Sequence, residues 1–117
     1  MEMKINNEIG QVNISEDVIA MIAGAAANEA YGIVGMASRG KNGLAGILKK
    51  ENLSKGVHVR VEEEKIFIDL YVIIQFGTKI SVVAKNTIDK VKYNVESQTG
   101  LTVENVNLNI EGIKVQS

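Results

Sequence analysis

Between Val57 and Glu62, hydrophobic and polar residues alternate, with Val57, Val59 and Val61 on one side and His58, Arg60 and Glu62 on the other. That period belongs to a strand with one buried face. Beyond a charged turn at Glu63 and Glu64, the run Lys65–Phe76 (KIFIDLYVIIQF) is the most apolar in the chain. One parity, Ile66, Ile68, Leu70, Val72, Ile74 and Phe76, is wholly hydrophobic. The other, Phe67, Asp69, Tyr71, Ile73 and Gln75, is mixed. A strand of this kind belongs at the centre of its sheet. Two further strands are predicted. One covers Ile9–Ile14, where Val12 and Ile14 alternate with Gln11 and Asn13. The other runs from about Thr102 to Glu111, where Val106, Leu108 and Ile110 alternate with Asn105, Asn107 and Asn109. Val103 is out of phase with the latter set, which predicts a bulge near Glu104.

Two segments carry a helical period instead. Ser15 stands where an N-cap belongs, and Glu16 and Asp17 follow in the first turn, where carboxylates favour the positive end of the helix dipole. The Ala-rich stretch Val18–Ala30 then predicts a helix, with Ile19, Ile22, Ala26 and Ala30 on one side and Val18, Met21 and Ala25 flanking it. Gly77 and Thr78 are expected to end the central strand and cap the second helix. In that helix Ile80, Ala84, Thr87, Ile88, Val91 and Val95 form the apolar stripe, and Val83 widens it. Gly100 closes the helix with a residue free to adopt a left-handed conformation.

The resulting order, β-α-β-β-α-β, predicts a single α+β domain over residues 1–117. Its two layers are a four-stranded mixed sheet and two main helices on one face. The split βαβ (ferredoxin-like) arrangement is the simplest topology with that order. Proline is absent, and Gly32, Gly35, Gly40, Gly43 and Gly46 crowd one irregular stretch between the first helix and the second strand. Within it Leu44, Ile47 and Leu48 fall at i, i+3 and i+4, predicting a short amphipathic helix from about Gly43 to Glu51. Such a helix could dock on its own domain or touch a partner or membrane surface, but is too short to hold a membrane alone.

Composition narrows the chemistry. A chain of 117 residues with 45% apolar content can build a core, and without cysteine it can form neither a disulfide nor a thiolate metal site. Neither a signal-peptide core nor a membrane-spanning apolar run is present, so a soluble cytoplasmic protein is expected. The formal net charge is −1, which excludes a generally basic nucleic-acid binder. The charge is unevenly spread: residues 1–38 sum to −4, residues 39–60 to +5 and residues 61–117 to −2. Arg39, Lys41, Lys49, Lys50, Lys55 and Arg60 make the central segment positive. It is either an ordinary solubilising loop or a patch that attracts an anionic surface.

No catalytic constellation emerges. His58 is the sole histidine and alternates onto an outer face beside Arg60, as a solvated or interface residue would. Glu62, Glu63 and Glu64 diverge as consecutive residues and lack the oxygen-rich loop of a calcium site. Neither a cofactor nor a metal is expected, and an enzyme is disfavoured. Interaction surfaces are the better candidates. If the two helices cover one sheet face, then Phe67, Tyr71 and Ile73 lie on the other, to be covered by the glycine-rich segment or by another chain. Together with Arg39, Lys41, Lys49 and Lys50 they form the candidate partner-binding set. A rival reading starts from Gly40-Lys41-Asn42-Gly43, a GxxG preceded by Arg39, which resembles the backbone-clamping loop of a KH nucleic-acid-binding domain.

A broader resemblance covers nearly the whole chain. GQVNISEDVIAMIAGAAANEAYGIVGMASRG (residues 10–40) and FGTKISVVAKNTIDKVKYNVESQTGLTVENVNLNIEGI (residues 76–113) are similar to the two halves of the alkaline shock protein family of envelope stress response proteins. The segments AYGIVGMASRG and FGTKI carry most of its specificity. The resemblance implies a small, non-enzymatic, cytoplasmic protein of Gram-positive-type bacteria linked to cell-envelope stress. It also implies protein partners, such as a small membrane-anchoring protein or a fatty-acid kinase subunit, or self-association. The chain would then be membrane-proximal through a partner, without inserting directly. Long charged terminal extensions are missing here, which points to the shorter, housekeeping-type subgroup.

Overall fold

The computed structural model describes residues 2–7, 10–37, 48 and 50–115. Along the chain these form β1 (Glu2–Asn7), β2 (Gly10–Ser15), α1 (Glu16–Asn28), β3 (Ile33–Met36) and a 3₁₀ segment (Lys50–Gly56). Then follow β4 (Val57–Glu62), β5 (Lys65–Gln75), α2 (Ile80–Thr99) and β6 (Thr102–Lys114). The α+β class, the mixed four-stranded sheet and the two helices on one face are as the sequence predicts.

β5 lies at the centre of that sheet, as its unbroken apolar parity requires. β6 runs parallel to it along one edge, joined through α2 because parallel strands need a long crossover. β4 and β3 both pair antiparallel with the opposite edge, β4 against Lys65–Leu70 and β3 against Val72–Ile74. The Ala37 amide donates to the Tyr71 carbonyl at 2.9 Å, and Val57 pairs with the next residue, Leu70. The chain therefore leaves this edge at Ala37 and rejoins it one rung later. Residues 38–56 are an excursion from what is otherwise a single edge strand.

The ferredoxin-like topology is not adopted. The strand preceding α1 does not enter the main sheet but pairs with β1 in a separate two-stranded sheet, in register from Glu2 opposite Ser15 to Asn7 opposite Gly10. The fourth place in the main sheet belongs to β3, from the glycine-rich stretch. With four residues (IVGM), one of them glycine, and a register shift between Ile33 and Gly35, β3 is too short and irregular to show a two-residue period. The short helix expected near Gly43–Glu51 falls mostly outside the described residues. Its last residues open the 3₁₀ segment, and Leu48 packs against the core.

Local chemistry explains most element ends. The Ser15 hydroxyl accepts from the Val18 amide at 3.2 Å, as an N-cap should. Gly100 ends α2 at φ 75° and bonds back to the Glu96 carbonyl. Thr78 does not cap α2, contrary to expectation. The N-cap is Lys79, without a side-chain bond, and the Thr78 hydroxyl donates to the Gln75 carbonyl at 2.6 Å instead. The bulge predicted near Glu104 is present: Val103 pairs with Ile66 and Asn105 with Phe67, leaving Glu104 as the extra residue. A second shift leaves Glu111 unpaired beside Ile73.

The core lies between the helices and one sheet face. Ile66, Ile68, Leu70, Val72 and Ile74 of β5 are closed off from solvent, joined by Val57, Val59 and Val61 of β4 and by Val103 and Val106 of β6. α2 contributes Val83, Val91 and Val95, while Ile80, placed in the stripe by its spacing, is half exposed. α1 contributes Ile19, Ala20, Ala23, Ala26 and Ala27. Its Val18, Met21 and Ala25 flank faces solvent. Alanine occurs on every side of this helix, so spacing alone could not choose the buried side. Small residues there allow close approach: a Cβ on Gly24 would lie 3.0 Å from the Leu53 carbonyl oxygen.

Candidate interaction surface

The sheet face turned away from α1 and α2 is built from the second parity of β4, β5 and β6. Register sets its rows. Arg60, Phe67 and Asn105 form one, and His58, Asp69 and Asn107 the next; Tyr71 stands beside Asn109, and Ile73 between Gly35 and Gly112. Each strand contributes here because side chains alternate across a pleated sheet.

The Arg60 guanidinium stacks over the Phe67 ring at 4.6 Å from its centroid, while its Nε also pairs with Glu62 at 2.8 Å. Asn107 donates to Asp69 Oδ1 at 2.9 Å, and His58 Nδ1 stands 3.6 Å from Asp69 Oδ2. Asn105 donates to Asn107 at 3.3 Å, and Asn109 donates to the Leu70 carbonyl at 3.2 Å. Partner-to-partner bonds hold these polar groups in place on a rigid sheet. What the arrangement offers chemically is recognition: amide donors and acceptors, the Asp69 carboxylate, the Arg60–Glu62 ion pair and two half-buried aromatic rings.

Phe67 and Tyr71 thus stand on the face where the sequence places them. Ile73 shares their parity but is 1% exposed, so it supports this face without offering contact area. Arg39, Lys41 and Lys49 lie outside the described residues, as does the Gly40–Gly43 loop. Lys50 begins the 3₁₀ segment. In chain order β3 stands between α1 and the Gly40–Gly43 residues, an element the KH-like reading did not include. The asparagine ladder was visible in the sequence only as a polar parity. Its bonding to Asp69 depends on the parallel register of β6, which the bulge at Glu104 fixes.

A second concave feature, of about 580 Å³, lies where α1 begins. Glu16, Asp17, Lys55 and His58 rim it over a floor of Ala20, Val57 and Val59. Its mixture of charges selects no ligand class. Among the described residues no group of three or more His, Asp or Glu side chains could hold a metal ion. On the solvent side of α2, a hydrogen bond to Asp89 at 2.9 Å raises the Lys85 ammonium above its ordinary pKa, remote from either feature.

A two-layer α+β domain with a bonded polar face and no gathered catalytic groups among the described residues defines a class, which comparison with known proteins narrows. Residues 4–115 match the model of the alkaline shock protein 23 family, described as having a cell envelope-related function. The chain belongs to this family. It is 52% identical to YloU of Bacillus subtilis strain 168 over 98% of both chains. It is 44% identical to Spy1614 of Streptococcus pyogenes serotype M6, covering 98% of this chain and 97% of the relative. YqhY of B. subtilis is 32% identical, covering 96% of this chain and 85% of that one. All three carry the description uncharacterized protein. No solved structure matches the chain.

Proposed function

We propose that this chain is a non-enzymatic protein-interaction module of the cytoplasm, serving envelope stress or envelope and lipid homeostasis by partner binding or self-association. The observation that supports it is the outer sheet face. Arg60 stacks on Phe67, Asn105, Asn107 and Asp69 are bonded in series, and Tyr71 stands beside Asn109; neither main helix covers this face. A surface organised in this way before binding loses little side-chain entropy on contact. Tyr71 is the natural anchor, since a half-buried tyrosine offers a large rigid ring with a polar end. A small membrane-anchoring protein and a fatty-acid kinase subunit are the partner classes to test first.

Tyr71→Glu places a carboxylate at the middle of this face, two residues from Asp69. The expected result is loss of self-association by light scattering, or loss of a specific co-purifying partner from the native cells, with the thermal transition retained. Unchanged association in this variant would remove the sheet face from the proposal.

A further inference from the structure

One end of the molecule is apolar in a way that the core does not explain. The Gln75 amide donates to the Gly32 carbonyl at 2.9 Å, and the Phe76 amide donates to the Lys114 carbonyl at 2.7 Å. These bonds tie the approach to β3, the end of β5 and the end of β6 into one rigid margin. Beyond it, the helix-facing parity of the sheet continues past the start of α2. Ile113 is paired with Ile74, Val115 lies two residues further along the chain, and Phe76 two residues beyond Ile74. These are core positions by phase that have run out of helix to cover them. Tyr31, Phe76, Ile80, Ile113 and Val115 each keep more than half of their surface in water; Phe76 is 68% and Val115 77% exposed.

Charge identifies the occupant. Lys79 and Lys114 are interleaved with these side chains, next to Ile80 and between Ile113 and Val115, and both are exposed. Among the described residues neither has a carboxylate within 4.0 Å, whereas Glu29, at the end of α1, lies 3.7 Å from Lys90. Glu111 lies three residues back along β6. At the far end of α1, Glu16 and Asp17 carry the opposite sign. This margin therefore combines large exposed apolar side chains with two ammonium groups that have no carboxylate partner among the described residues.

We propose that this margin, centred on the Phe76–Ile80 turn, binds the surface of an anionic phospholipid bilayer directly. The large apolar side chains enter the headgroup and acyl boundary while Lys79 and Lys114 reach lipid phosphates. The contact is peripheral, for no helix among the described residues is long and apolar enough to cross a membrane. It uses a different surface from the sheet face and stands independently of the partner reading.

The test is flotation of the whole chain with vesicles of phosphatidylcholine alone or mixed with phosphatidylglycerol. The wild type is expected to float with the mixed vesicles and to be released by salt. Phe76→Ser/Val115→Ser should reduce flotation about tenfold, and Lys79→Glu and Lys114→Glu about fivefold each. These side chains are exposed, so far-UV circular dichroism and the thermal transition should be unchanged. Absence of flotation at low salt, or equal flotation of the serine variant, would overturn the proposal. So would a wild-type dimer that the serine variant converts to monomer without any flotation, since the margin would then be a contact between copies.

Discussion

A Cβ placed on Gly32 would lie 2.4 Å from Cγ2 of Val83. The chain turns there from α1 into β3 directly against the first turns of α2, and Val83 is fully buried. Gly32 also sits at φ 83°, where an L side chain is strained.

Both effects act in Gly32→Ala, which is expected to lose about 2–4 kcal/mol in chemical denaturation. Gly100→Ala separates them. Its φ is 75°, but nothing lies within 4 Å of an added Cβ, so only the backbone cost of about 1–2 kcal/mol should remain. Equal losses at the two sites would mean that Val83 gives way without cost.

The turn between β4 and β5 should be improvable. Glu63 and Glu64 occupy its two central positions at φ 52° and 65°, a geometry that hairpins usually give to Asn-Gly. Glu63→Asn/Glu64→Gly relieves both residues and removes two of three successive carboxylates. An increase of about 1–2 kcal/mol in stability is expected, seen as a higher urea midpoint at constant slope.

Much of this fold was legible because its strongest signals are local. The valines of β4, the wholly apolar parity of β5, the Ser15 cap and the Gly100 stop each follow from chemistry within a few residues. Even the bulge at Glu104 showed itself as a phase error at Val103. What sequence could not supply was partnership. β2 has the alternation of a core strand, yet its hydrogen-bonding partner is β1, a choice made by tertiary pairing rather than by pattern. Likewise Ile73 has the parity of the outer face but is buried, which alternation along one strand could not show. Phe76 reads as core for the complementary reason: periodicity cannot tell where the covering helix begins.

Two buried threonines provide opposite expectations. Thr99 donates to the Val95 carbonyl at 2.7 Å and accepts from the Leu101 amide at 3.1 Å, tying the end of α2 to the approach to β6. Thr87 is equally enclosed, but its Oγ1 has no partner among the described residues. Replacing a bonded hydroxyl strands its partners, whereas replacing an unbonded one removes only a desolvation cost. Thr99→Val should therefore lose about 1–2 kcal/mol, while Thr87→Val should be neutral or gain up to about 1 kcal/mol, measured by the same denaturation.

The excursion between Ala37 and Val57 can be tested by removing it. Ala37 bonds to Tyr71 and Val57 pairs with Leu70, so a direct Ala37–Val57 junction preserves the ladder register. The two ends are already in contact: a Cβ on Gly56 would meet the Ala37 carbonyl oxygen at 2.7 Å. Deletion of residues 38–56 removes Leu48 and Leu53, both partly buried against the core, along with the basic cluster. A loss of about 2–5 kcal/mol is expected from those two leucines, with a cooperative transition and the amide-exchange protection of β5 retained. Retention of partner binding in this deletion would assign recognition to the sheet face alone, and its loss would bring Arg39, Lys41, Lys49 and Lys50 into the contact. If cooperativity disappears instead, the excursion is part of the core rather than an insertion into an edge strand.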